Sequence, residues 1–112
     1  MKNVSEIYNF IGQTILESIS ENWKHASVQV EVLDGYCSYS GDFETIHGVM
    51  YDLDVLEFPE NFGDELELLH SITTEGGHNR WNRAIFKLWP DGKFDMEFIW
   101  DQDLHDEIER LS

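Results

Sequence analysis

Residues 81–100, WNRAIFKLWPDGKFDMEFIW, decide how the chain is read. Ala84, Phe86 and Leu88 alternate with Arg83, Ile85 and Lys87, and Phe94, Met96 and Phe98 alternate with Asp95, Glu97 and Ile99. A period of two marks extended strands with two chemically distinct faces. Pro90-Asp91-Gly92 joins the two runs, with Pro setting one backbone angle and Gly supplying the left-handed one, so this stretch reads as a β-hairpin. Its aromatic residues, Trp81, Phe86, Trp89, Phe94, Phe98 and Trp100, are expected to pack the hairpin against helices.

Upstream, Ala26, Val28, Val30 and Val32 alternate with polar residues and predict another strand, followed by a turn at Asp34-Gly35. Tyr36 to Ser40 and about Phe43 to Leu53 read as two further strands, separated near Gly41-Asp42 and bent at Gly48; a meander is the simplest connection. Pro59 stops the last of these. Outside them lie three helical patterns. From Asn3 to Asn22, Val4, Ile7, Tyr8, Ile11, Ile15 and Ile19 recur at helical spacing behind a capping box of Asn3 and Glu6, with Gly12 marking a close crossing over a sheet. Phe62 to Thr74 places Leu66, Leu69 and Ile72 on one face, and Glu75-Gly76-Gly77-His78-Asn79 ends it. Asp101 to Leu111 forms a final helix with acids at its start, where the helix dipole favours them. The order predicts one α+β domain over residues 1–112: a two-layer sandwich of about five antiparallel strands with N-terminal, middle and C-terminal helices.

Composition narrows the function. In 112 residues, 41% are apolar and 13% aromatic, enough for a core and too much for an acidic tail. The single cysteine, Cys37, excludes an internal disulfide and a cysteine-based zinc site, and reads as packing within a strand. No export signal or membrane-spanning run is visible, which gives a cytoplasmic expectation. Net charge is −16, and between Lys24 and Arg80 twelve acids, from Glu31 to Glu75, meet no lysine or arginine. Such a surface opposes nucleic acid and anionic lipid and favours basic partners.

Catalytic and cofactor signatures are missing. His25, His47, His70, His78 and His105 lack metal-ligand spacing and read as scattered surface residues. Glu67-Leu68-Leu69-His70 has no second copy to build a di-iron site. Asp52-Leu53-Asp54 begins like a calcium loop but continues with Leu56 and Glu57. Gly76-Gly77 lacks the Lys and Ser/Thr of a phosphate loop. The expectation is a binding protein without cofactor or metal. Its contacts are placed in the cation-free strand region: Asp42, Glu44, Asp52, Asp54 and Glu57 as charges, Tyr39 and Tyr51 as aromatic anchors.

Trp81 to Leu88, Pro90-Asp91-Gly92-Lys93-Phe94 and Phe98-Ile99-Trp100-Asp101, together with Glu21-Asn22-Trp23 after the first helix, resemble the YezG-like immunity proteins. The resemblance implies an antitoxin that protects a bacterium by binding a cognate polymorphic-toxin domain, often a nuclease, with RNase favoured over DNase. It supplies no catalytic residues. A monomer is assumed, the sequence giving no oligomeric state. An acidic adaptor or chaperone-like module for another basic protein is the first alternative. A small hydrolase using paired carboxylates is the second, and it requires a cleft.

Overall fold

A computed structural model describes residues 3–33, 36–77 and 80–111. The elements are α1 (Val4–Ser18), β1 (Trp23–Leu33), β2 (Tyr36–Thr45), β3 (Met50–Asp52), a 3-10 turn (Val55–Glu57), α2 (Phe62–Thr73), β4 (Arg83–Leu88), β5 (Phe94–Ile99) and α3 (Gln102–Leu111). The five strands form one antiparallel sheet in the order β3-β2-β1-β4-β5. The α+β sandwich is therefore as expected, and β1 to β3 do form a meander. The β4–β5 hairpin joins the opposite side of β1, which makes β1 the central strand.

Local chemistry accounts for most boundaries. Asn3 caps α1, its Oδ1 accepting from the Glu6 N–H at 2.9 Å. At the β4–β5 turn the Gly92 N–H donates to Trp89 O at 3.0 Å, the Trp89 N–H donates to Lys93 O at 2.9 Å, and Gly92 takes φ +90°. This is a three-residue loop closed by a glycine bulge. The Asp34-Gly35 turn lies outside the described residues, as do His78 and Asn79.

β2 departs from the expectation. It runs unbroken through Gly41-Asp42, and the bend expected at Gly48 is a full reversal between Thr45 and Met50, where Gly48 has φ +82° and Thr45 Oγ1 accepts from the His47 and Val49 N–H groups. Within this strand position 41 is glycine because nothing larger fits: a Cβ there meets Leu53 Cδ1 at 2.7 Å and the Ser27 carbonyl oxygen at 2.9 Å.

The core lies between the helices and one sheet face. Ile7, Ile11 and Ile15 of α1 and Phe62, Leu66 and Leu69 of α2 cover Ala26, Val28 and Val30 of β1 and Ala84, Phe86 and Leu88 of β4. Each fully buried aliphatic side chain contributes about 1.5–3 kcal/mol relative to exposure. Gly12 faces β4, where an added Cβ stands 3.8 Å from Leu88 Cδ1, an ordinary contact rather than an unusually close crossing. Cys37 packs at the margin of the core, and burial, aided by the charge of Glu67, pushes its thiol pKa up to about 12. That suppresses the nucleophilic thiolate.

The hairpin aromatics divide. Trp81 and Phe86 are buried, but Trp89, Phe94, Phe98 and Trp100 remain 36–47% exposed, contrary to the expectation that all six pack inward. For Phe94 and Phe98 the reason is lateral reach: α2 lies over β1 and β2, and α1 reaches β5 with Tyr8, 5.3 Å from the Phe94 ring. Among the described residues, no helix is long and apolar enough to cross a membrane.

Candidate protein interface

The helices cover one face of the sheet and leave the other to solvent. Register assigns the side chains. Ala26, Val28, Val30 and Val32 point to the helices, and so do their β2 partners Phe43, Gly41, Tyr39 and Cys37. The intervening residues of β1 and β2, among them His25, Ser27, Gln29, Glu31, Ser38, Ser40, Asp42 and Glu44, point the opposite way.

Three of the expected charges meet on this open face. Asp42 of β2 stands directly opposite Asp52 of β3, and Glu44 is two positions along, opposite Met50. Like charges facing each other across a ladder are destabilising, by up to about 1 kcal/mol. Glu44 is partly compensated from the neighbouring strand: its Oε1 lies 2.9 Å from His25 Nε2 and its Oε2 lies 3.7 Å from Lys24 Nζ. Among the described residues no ion pair is formed by Asp42 or Asp52.

The remaining expected residues are distributed elsewhere. Tyr39 turns to the helix side, stacking on Phe58 at 6.2 Å and tilted against Phe62 at 4.8 Å, and burial raises its hydroxyl pKa. Tyr51 is half exposed but faces the helix side, 5.8 Å from the Phe43 ring, opposite in direction to its neighbour Asp52. Asp54 precedes the 3-10 turn, where its carbonyl accepts from the Glu57 N–H at 3.1 Å, and both side chains are exposed beyond the sheet edge.

The apolar contacts near the acids come from residues that the sequence did not single out. Met50 lies on the open face beside Glu44, and Ile46 and Val49 project from the β2–β3 turn, each between 45% and 52% exposed. Their signal was available: β-branched residues in a tight turn have no local reason to be apolar. Acids beside exposed aliphatic groups form a surface suited to a cationic, partly apolar protein.

Two other regions carry chemistry. At the far end of the open face, Arg83 donates from Nε to Asp101 Oδ2 at 2.8 Å and from Nη1 to Glu31 Oε2 at 2.9 Å, and the Leu104 N–H donates to Asp101 Oδ1 at 3.1 Å. The hydrogen bond from Arg83, followed by that from Leu104, holds the Asp101 carboxyl below its ordinary pKa. Around the sheet end, a cleft of about 790 Å³ opens between α2 and α3, lined by Glu67, His70, Arg80, Trp100, His105 and Ile108 among others. Two of the histidines read as scattered surface groups are engaged here: His70 Nε2 bonds the Trp81 carbonyl at 2.8 Å, and His105 lies against Trp100 at 5.0 Å. Among the described residues, no group of three His, Cys, Asp or Glu side chains is arranged to hold a metal ion.

Fold and surface together define an α+β two-layer protein with one uncovered, predominantly acidic sheet face. No family model matches the chain, and no curated protein matches it in sequence.

Proposed function

We propose that this chain is a protein-binding domain that neutralises a basic partner by covering the partner's substrate-binding surface with its open sheet face. The observation that carries the reading is the opposition of Asp42 and Asp52 beside Glu44 and Met50. The fold keeps a repulsive pair on a rigid ladder, and a cationic ligand relieves that repulsion on binding. In keeping with the resemblance to YezG-like immunity proteins, the partner is the toxin domain of a bacterial polymorphic toxin. A nuclease domain, RNase rather than DNase, has the phosphate-gripping Lys/Arg surface that such carboxylates complement. The encounter takes place in the cytoplasm of the protected cell.

The test is a pull-down from the source organism's lysate at low and then high salt, followed by an enzymatic assay of what is captured. Capture of one basic nuclease domain, released by salt and inhibited by the pure chain, supports the proposal. A partner that is not a nuclease replaces the immunity reading with an adaptor reading. Capture that is unchanged by Asp42→Lys with Asp52→Lys removes the open face as the contact.

A further inference from the structure

The two edges of the sheet differ in kind. β3 is a three-residue strand, a common way to keep an edge from templating further pairing. β5 has six residues, Phe94–Ile99, with neither lysine nor proline in it. Because Trp89 N–H bonds Lys93 O, antiparallel alternation directs the backbone groups of Asp95, Glu97 and Ile99 towards β4. Those of Phe94, Met96 and Phe98 point out from the edge. The side chains of these same three residues lie on the helix side, where Phe94 lies against Tyr8 at 5.3 Å and stacks on Phe86 at 5.4 Å, Met96 packs at the core margin and Phe98 lies against Trp81 at 4.9 Å, yet both phenylalanines stay over one third exposed. On the opposite side β5 offers Asp95 and Glu97, both exposed.

We propose that β5 is a site of strand addition. Its occupant is an extended segment of a basic protein in which apolar residues alternate with Lys or Arg. The apolar residues complete the cover over Phe94, Met96 and Phe98, the cations meet Asp95 and Glu97, and the backbone pairs with the outward groups of β5. A second copy of this chain does not fit, because antiparallel pairing of two β5 strands sets Asp95 and Glu97 opposite the carboxylates of the other strand. The basic character of the occupant rests on the reading given under Proposed function; the edge geometry does not.

The experiment titrates the isotope-labelled full chain with a short peptide alternating Val and Lys and follows backbone amide shifts. The same titration is run with a scrambled peptide and with one N-methylated at alternate residues. Shifts centred on Phe94–Ile99, with affinity falling about tenfold or more on N-methylation, are expected, since each lost backbone pair in a desolvated edge costs on that order. Met96→Pro removes an outward N–H without touching the β4 ladder and is expected to weaken binding equally. Should that variant not fold, the N-methylated peptide on the unaltered chain decides. Absent binding, equal binding of the scrambled or N-methylated peptides, or shifts centred on Asp42 and Asp52 overturns the proposal. Only the chain and a peptide are present, so failure to find a nuclease partner leaves this outcome unaffected.

Discussion

Gly41 and Gly12 are both buried under neighbouring side chains, yet they predict opposite results. At Gly41 a methyl group collides with Leu53 and with the backbone of β1, which cannot move without breaking the ladder, so Gly41→Ala is expected to destabilise by about 2 kcal/mol or more. At Gly12 the methyl group finds ordinary contact with Leu88 and the helix gains a better former, so Gly12→Ala is expected to stabilise by about 0.5–1 kcal/mol. Urea unfolding of the two variants checks both signs. Parity also decides at this scale where candidate contacts go. Tyr39 and Asp42 are three positions apart, and Tyr51 and Asp52 are adjacent, so in continuous strands each pair points to opposite faces. Reading a break at Gly41-Asp42 concealed this, because the cause of the glycine, Leu53 crossing above it, is a tertiary contact.

Of the three α-helices among the described residues, α3 is the least secured. None of its residues is buried, Leu111 is 74% exposed, and its attachment depends on Asp101, which receives hydrogen bonds from Arg83 and from the Leu104 N–H. The folded carboxyl has a lower pKa than the unfolded one. The folded state therefore binds its proton less readily, and the stabilisation is complete above the ordinary aspartate value of about 3.9. It is lost as pH falls through the lowered folded value. Amide protection in α3, relative to the intrinsic exchange rate at each pH, is expected to fall over that interval before protection of the sheet does, and Asp101→Asn is expected to lower it already at neutral pH. The helix itself was legible from the acids at its start. Its loose seating was not, since acids at a helix start say nothing of what lies against the helix. The same gap explains β5, whose alternation was read correctly while the limited reach of α1 was not visible.

For the whole molecule, the charge of −16 has a spatial meaning that its sequence distribution gave only in part. Between Lys24 and Arg80 the chain has no lysine or arginine, but Glu44 takes its partners from Lys24 and His25 on β1, and Glu31 takes Arg83 from β4. Those pairings cross the sheet and leave Asp42 and Asp52 as the repulsive centre. Asp42→Asn combined with Asp52→Asn is expected to stabilise the isolated protein by a few tenths to about 1 kcal/mol while slowing association with a basic partner. Thermal melting and stopped-flow kinetics at two salt concentrations measure the two effects on the same variant. A rise in stability without loss of on-rate removes the open face from the encounter.

The central position of β1 also shapes how the chain reaches this structure. β1 with β2, and β4 with β5, are hairpins between neighbouring segments, whereas the β1–β4 ladder joins residues as distant as Ala26 and Leu88. Local hairpins close in microseconds, but bringing the two halves together costs the entropy of ordering the intervening chain. The slow step of folding is therefore expected to be the pairing of β1 with β4, and refolding kinetics test this: truncating Val28 or Phe86 is expected to retard refolding more than truncating Phe43 or Phe94.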